Sequence, residues 1–155
     1  IEASPWKERL QVFYRDVKQF QFQQKYDFII SNPPFYEGDL KSGASNRNVA
    51  MHDEGLKLDE LLRVVDQNLS DDGSLAVLLP YHRAEQFILS AVKHGLFLTV
   101  QLNVKQTVNH SFFRSILLFS RVNIVPGRQE LSIKNESNQY TPGFIELLND
   151  YYLYL

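Results

Sequence analysis

The strongest constraint on the fold of this chain is the alternation of short apolar runs with stretches of helical periodicity. Residues 26–31, 74–79 and 96–102 have the length and composition of strands. The first is mostly apolar, as in strands buried on both faces of a parallel sheet, and the second is also expected to be buried. Between them, residues 58–69 and 83–94 repeat apolar side chains at steps of three and four, which is typical of amphipathic helices. Strands that alternate with helices predict an α/β doubly wound sheet.

The pattern changes after the third strand. Residues 115–122 form another apolar run, and no helical period separates them from residues 96–102. We therefore expect these two strands to form an antiparallel hairpin at the edge of the sheet, across a loop at 105–114. One more short strand is expected at residues 10–14, ahead of Asp16.

Length and composition suit one domain. The chain has 155 residues, of which 44% are hydrophobic and 22% charged, so it can bury a core of its own. We expect residues 1–155 to belong to a single domain. Residues 123–155, with a helix capped by Thr141-Pro142, are expected to form an extension that packs on the sheet.

Charge and cysteine content exclude several classes of protein. Sixteen basic and 18 acidic side chains give a net charge of −2, so nucleic acid can be bound only through a local patch. The absence of cysteine excludes disulfides and thiolate metal sites and favours a reducing compartment, the cytoplasm. No run is long enough to span a membrane. The four histidines lack ligand spacing, so no metal is expected: His52, His82, His94 and His110.

The tetrapeptide Asn32-Pro33-Pro34-Phe35 is the sharpest local signal, because it directly follows a predicted buried strand. Ligands bind at that end of the strands in open α/β sheets. The Asn32 carboxamide and the Pro33 carbonyl offer two hydrogen-bond acceptors beside the aromatic face of Phe35. This set suits a planar group that bears an NH₂, such as adenine, cytosine or a glutamine amide. The alternative is a proline-rich turn with a packed aromatic ring.

These residues resemble the N6-adenine class of S-adenosylmethionine-dependent methyltransferases, in which N-P-P-[F/Y] ends the fourth strand. More narrowly, the chain resembles the bacterial family that methylates N6 of adenosine 37 in valine tRNA. N-P-P-[F/Y] alone is shared with protein-glutamine and other amine methylases. The narrower resemblance therefore rests on the flanking stretches and the tail: Ser4-Pro5-Trp6, Asp16-Val17, residues 26–36 and residues 144–155 with their Tyr151-Tyr152-Leu153 ending.

The resemblance implies S-adenosylmethionine as the cofactor and a role for each matching residue. Asp16 accepts a hydrogen bond from the amino group of the cofactor adenine, and Val17 lines the same pocket. For Asp16 a strand-end turn is the alternative. Asn32 borders the cofactor as well as the target amine.

The resemblance also implies tRNA as the partner. Asn32 and Pro33 accept hydrogen bonds from the two N–H groups of the target amine, and Phe35 stacks on the flipped base. Further contacts to the substrate are expected from Pro34 and Tyr36, and Phe112 and Phe113 are candidate stacking partners. The two long predicted loops also carry basic residues that could contact phosphates: Lys41, Arg47, Lys105 and Arg114. A solvated loop is the equal alternative for these basic residues.

The chain departs from the family in one respect. The resembled enzymes carry a glycine-rich D-x-G-x-G-x-G loop after their first strand and an acidic residue after their second, and the seven glycines of this chain include no G-x-G. We therefore expect the chain to correspond to the C-terminal two thirds of such a domain, without its first two strands. Such a piece is expected to bind S-adenosylmethionine weakly or not at all by itself, and to dimerise or exchange strands through exposed sheet edges.

Three functions remain open from the sequence. The first is methyl transfer to adenosine N6 in tRNA. The second is the same chemistry on a protein glutamine or a DNA adenine. The third is an inactive piece that acts as an RNA-binding or interaction module.

Overall fold

Five strands form one mixed sheet in a computed structural model that describes residues 1–33 and 57–152. The strands are β1 (Tyr26–Ser31), β2 (Leu69–Pro80), β3 (Phe97–Thr107), β4 (Phe112–Ser120) and β5 (Gly127–Lys134). The helices are α1 (Leu58–Asn68), α2 (Tyr81–Lys93) and α3 (Pro142–Leu148), and a short 3-10 turn covers Lys7–Arg9. The order of the strands across the sheet is β1-β2-β4-β3-β5.

One strand runs against the other four. β1 is parallel to β2, β4 is antiparallel to both β2 and β3, and β5 is parallel to β3. The carboxyl ends of β1, β2, β3 and β5 therefore lie along one edge of the sheet, together with the start of β4. We call this the carboxyl edge. It is the edge at which open α/β sheets bind their ligands.

The predicted α/β class and the antiparallel pairing of β3 with β4 are confirmed. The hairpin lies one strand in from the edge, because β5 pairs with the free side of β3. The predicted loop at 105–114 is wrong in its length: β3 continues to Thr107 and β4 begins at Phe112, so the connection is only residues 108–111. Polar side chains mislead here, since Lys105 pairs with Phe112 through backbone groups that carry no sequence signal.

The strand predicted at residues 10–14 is also wrong. These residues form no ladder, and the side chains of Val12 and Tyr14 are largely exposed. A strand requires a neighbour to satisfy its backbone groups, and no described residue pairs with the outer edge of β1. Aromatic rings hold the segment instead, in a chain of contacts with centroid distances of 4.7–5.8 Å through Phe13, Phe20, Phe22 and Tyr26.

The sequence Asp71-Asp72-Gly73 after a helical stretch predicts a turn between a helix and a strand. That prediction is wrong, because these residues lie within β2 as a bulge. Tyr26 pairs with Leu69 and Phe28 with Ser74, so the intervening residues of β2 have no counterpart in β1. A Cβ at Gly73 would lie 2.9 Å from the Leu69 side chain. Only glycine therefore fits this bulge without a shift of its neighbours.

The core lies between one face of the sheet and the two long helices. Leu62 and Val65 of α1 and Phe87 of α2 are fully buried against Leu75, Val77, Leu117 and Phe119 of β2 and β4. The opposite face carries exposed apolar side chains, Phe28, Ile30 and Ile116. The described helices α1 and α2 therefore cover a single side of the sheet.

The C-terminal part adds β5 and α3 to this sheet. The Thr141 hydroxyl accepts a hydrogen bond from the Phe144 backbone N–H at 3.3 Å and donates to the Ser132 carbonyl. Phe144 is buried, and its ring stacks with Tyr140 at 5.1 Å. The predicted cap at Thr141 and the helix through Leu148 are confirmed.

A pH-sensitive contact joins α1 to the end of α2, and it gives a testable prediction. The hydrogen bond from His94 Nε2 to Asp59 Oδ1, at 3.3 Å, and the nearby charges of His94 and Arg63 hold the pKa of Asp59 below its usual range. A lowered pKa means that the ionised carboxylate stabilises the fold above the unfolded value, near 4, and that this contribution is lost as the pH falls through the folded pKa. In a His94→Ala variant we expect the pKa of Asp59 to return towards 4, as measured by NMR titration of its side-chain carboxyl. An unchanged titration would contradict this role of His94.

Candidate active site at the carboxyl edge of the sheet

Asn32 and Pro33 follow β1 directly at the carboxyl edge. The last β1 residue that pairs is Ser31, opposite Val77, while β2 continues for three more residues to Pro80. A proline nitrogen cannot donate to a ladder, so the pairing ends where it does. Pro33 is buried, whereas Asn32 is exposed and its side chain makes no hydrogen bond with another described residue. The buried Pro33 thus follows an Asn32 whose carboxamide is exposed to solvent.

Asp16 lies in a tight turn. Its Oδ1 accepts a hydrogen bond from the Lys18 backbone N–H at 2.9 Å, and its backbone carbonyl accepts one from Gln19 at 3.0 Å. This geometry matches the turn that was the alternative interpretation of Asp16. The carboxylate is still exposed, and among the described residues Oδ2 has the Lys18 ammonium as its one polar neighbour, at 3.9 Å. Val17 is half-buried beside it. The turn therefore leaves one carboxylate oxygen available to a ligand.

A lysine joins this turn to the start of α1. Lys18 Nζ lies 4.0 Å from Glu60 Oε2, and the same Glu60 oxygen accepts the Lys57 backbone N–H at 2.9 Å, closing the first turn of the helix. Because α1 returns the chain from the end of β1 to the start of the parallel strand β2, it begins at the carboxyl edge. The Asp16 turn and Asn32 therefore both lie at the carboxyl edge of the sheet.

A second group of side chains lies farther along this edge, where β2, β4 and β3 end or begin. The Tyr81 and Phe112 rings are in contact at a centroid distance of 5.0 Å, and Lys105 Nζ lies 4.5 Å over the Phe112 ring. Lys105 also pairs with Glu130 of β5 at 3.4 Å. Arg114 stands over the neighbouring Phe113 ring at 5.6 Å. Both predicted cations, Lys105 and Arg114, are thus strand residues packed on aromatic rings.

Five predicted site residues lie outside the described residues: Pro34, Phe35, Tyr36, Lys41 and Arg47. His52 lies outside them as well. In the part of the chain that the structure describes, no group of three or more histidine and acidic side chains could hold a metal ion. No helix in that part is both long and apolar enough to cross a bilayer.

Sequence reasoning missed Tyr81, Lys18 and Glu60. Tyr81 follows Pro80, which ends a predicted buried strand, so its position at a strand's carboxyl end was a usable signal. The contact of Lys18 with Glu60 joins residues 42 positions apart in the sequence, and no local pattern reveals it.

Comparison with known proteins bears on the chemistry of this edge. A family model described as "Methyltransferase small domain" matches residues 2–102, a span that contains the Asp16 turn, Asn32 and the whole of β2. The chain belongs to this family.

Curated relatives of this methyltransferase small domain carry one name. A protein of Pseudoalteromonas translucida is 35% identical over 154 residues, and the match covers 99% of this chain and 66% of the relative. A protein of Shewanella sp. (strain MR-7) is 34% identical over 160 residues and is covered to 68%. Both are named tRNA1(Val) (adenine(37)-N6)-methyltransferase. The chain spans about two thirds of the length of the curated relatives it matches.

A solved structure agrees with the fold. The crystal structure of an Agrobacterium tumefaciens protein, described as a predicted O-methyltransferase, superposes with a TM-score of 0.62 at 16% sequence identity. The superposition covers 92% of this chain and 64% of that one. The arrangement of the sheet and helices in this methyltransferase small domain is therefore that of the Rossmann-like methyltransferases.

Proposed function

We propose that this chain carries the target-amine site of an S-adenosylmethionine-dependent enzyme that methylates N6 of adenosine 37 in valine tRNA. The observation that carries the proposal is Asn32, whose exposed carboxamide follows β1 at the carboxyl edge, precedes a buried proline and bonds to no other residue that the structure describes. The names of the curated relatives support the substrate. Because tRNA is its proposed substrate, we place the protein in the cytoplasm.

The chemistry asks little of the protein beyond orientation. An exocyclic amine is a poor nucleophile, because its lone pair is delocalised into the ring. The Asn32 side-chain oxygen and the Pro33 carbonyl accept hydrogen bonds from the two N–H groups, which favours a tetrahedral, electron-rich nitrogen and holds it in line for attack. Asp16 and Val17 would hold the cofactor, whose sulfonium would supply the methyl group and leave as a thioether, while Asn32 and Pro33 would hold the amine, which would lose its proton to water. No covalent intermediate with the protein is needed.

The cofactor proposal rests on the donor and acceptor set of this edge. Bound S-adenosylmethionine supplies an electrophilic methyl group on a sulfonium. The free Oδ2 of Asp16 suits the amino group of an adenine, and Val17 offers an apolar wall beside it. In this proposal Asn32 borders both the cofactor and the target amine. Asp16 therefore binds and orients, while Asn32 and Pro33 position the nucleophile.

The test is methyl transfer by the full-length protein from labelled S-adenosylmethionine to separate pools of tRNA, DNA and protein. We expect label in tRNA alone, recovered as N6-methyladenosine at position 37 of valine tRNA. Label in DNA adenine or in protein glutamine would contradict tRNA as the substrate but would still support methyl transfer to an amine. No transfer to any pool would contradict the enzymatic proposal and favour a non-catalytic RNA-binding module.

A further inference from the structure

The Tyr81–Phe112–Lys105 cluster at the carboxyl edge is the feature that the amine site leaves unexplained. We propose that this cluster, which we call the stacking platform, binds the unpaired base of a nucleotide within a few positions of the target adenosine. The proposal rests on the proposed function for the identity of the RNA, and on the cluster's own geometry for the mode of binding.

The exposure of the two rings is the first argument. Tyr81 is 41% exposed although it packs on Phe112 at a centroid distance of 5.0 Å with the planes tilted by 39°. Phe112 is half-buried. Two rings that pack on each other and are still partly exposed provide a preorganised aromatic surface with little side-chain entropy to lose on binding. Each base stacked on an aromatic side chain contributes about 1–3 kcal/mol and needs no particular sequence.

The position of the cation is the second argument. Lys105 Nζ lies 4.5 Å from the centre of the Phe112 ring and 3.4 Å from Glu130, with its side chain 25% exposed. The carboxylate and the ring hold the ammonium over one face of Phe112, next to Tyr81. A base on the rings therefore brings its own phosphate near a positioned cation, which is the pairing of stacking and charge that single-stranded nucleic acid sites use.

Distance along the edge is the third argument. Ser31 pairs with Val77, Val77 with Leu117, and Pro80 with Arg114. With strands about 4.8 Å apart and residues rising about 3.3 Å, Tyr81 and Phe112 lie roughly 10–16 Å from Asn32. A stacked strand advances about 3.4 Å per nucleotide and an unstacked one farther. The platform is therefore within a few nucleotides of an adenosine held at Asn32.

The experiment measures RNA binding and methyl transfer separately in the full-length protein. The probe is a fluorescent anticodon stem-loop of valine tRNA. Phe112→Leu and Tyr81→Leu should each raise the Kd and KM for this RNA about tenfold and leave kcat within about twofold. Phe112→Tyr keeps a ring and should bind as the parent does. Phe28→Leu, which changes an exposed ring on the opposite face, is the matched control and should change neither constant.

A second probe alters the RNA, so that the same contact can be removed from the other partner. In a set of stem-loops, each with one abasic residue at a different position within a few nucleotides of the target adenosine, the parent protein should lose the same tenfold at one position. Phe112→Leu should lose nothing further with that stem-loop, because the two changes remove one contact. Normal binding by Phe112→Leu, additive losses in that pair, or no RNA binding by the parent would overturn the platform. If the variants and the abasic stem-loop show the expected losses of binding but the parent protein transfers no methyl group, the platform is supported and only the proposed function is contradicted.

Discussion

Replacing Asn32 by Ala in the full-length protein should lower the rate of methyl transfer about 10²- to 10³-fold. The change removes the side-chain acceptor that holds one N–H of the target amine, and loss of a single positioned hydrogen-bond partner in a reacting site costs about 2.7–4 kcal/mol of transition-state stabilisation. Pro33 still supplies its carbonyl, so a residual rate is expected. Single-turnover kinetics with saturating cofactor and RNA measure the chemical step directly.

Two controls separate this effect from damage to the fold. Asn32 is exposed and bonds to no other described side chain or backbone group, so its removal should change the free energy of unfolding by no more than about 0.5 kcal/mol. Asn32→Asp keeps an acceptor oxygen at the same place and should retain more activity than Asn32→Ala. A variant Asn32→Ala that transfers methyl groups at the parent rate would contradict the proposed mechanism.

The second large effect is expected in the core. Phe119→Ala should lower the free energy of unfolding by about 3–5 kcal/mol, because the ring is fully buried and its removal leaves a cavity. A domain of this kind has only about 5–15 kcal/mol in total. The shift of the urea midpoint at constant m-value measures the loss. Ile116→Ala, on the same strand but 41% exposed on the opposite face, is the control and should cost about 1 kcal/mol or less.

The contact between Phe119 and Phe87 adds a finer measurement. The two rings meet edge to face at 5.6 Å, between β4 and α2. A double-mutant cycle should give a coupling of about 0.5–1.5 kcal/mol. A Phe119→Ala variant with the parent's urea midpoint would show that the helices do not pack on the sheet as described.

Much of the architecture follows from local patterns in the sequence. β1, β2 and the two long helices carry their apolar periods in continuous stretches, and the absence of a helical period after residue 102 was enough to predict the antiparallel pairing of β3 with β4. The predicted cap at Thr141 also came from local chemistry. Gly95, directly after the stretch 83–94, has a φ of +67°, which glycine adopts readily at the end of a helix. These features depend on neighbours a few positions away.

The rest depends on partners that no local pattern identifies. Residues 10–14 have the composition of a strand, and only the absence of a described neighbour decides against it. Lys105 looks like a loop residue until its pairing with Phe112 is known. At the site, Asn32 and Pro33 could be found because the motif is contiguous, whereas Tyr81 joins Phe112 across 31 residues. The expected weak cofactor binding and the expected dimer remain predictions.

The position of β4 between β2 and β3 has a consequence for how the chain acquires its structure. β3 is synthesised before β4, yet it pairs with neither β1 nor β2, so the edge of β2 stays open until Ser120 has been made. Pairings with such separation in sequence are slow to form and leave strand edges exposed meanwhile. During synthesis the half-built sheet of β1 and β2 therefore exposes the inner edge of β2 to other chains, and pairing with β4 covers that edge.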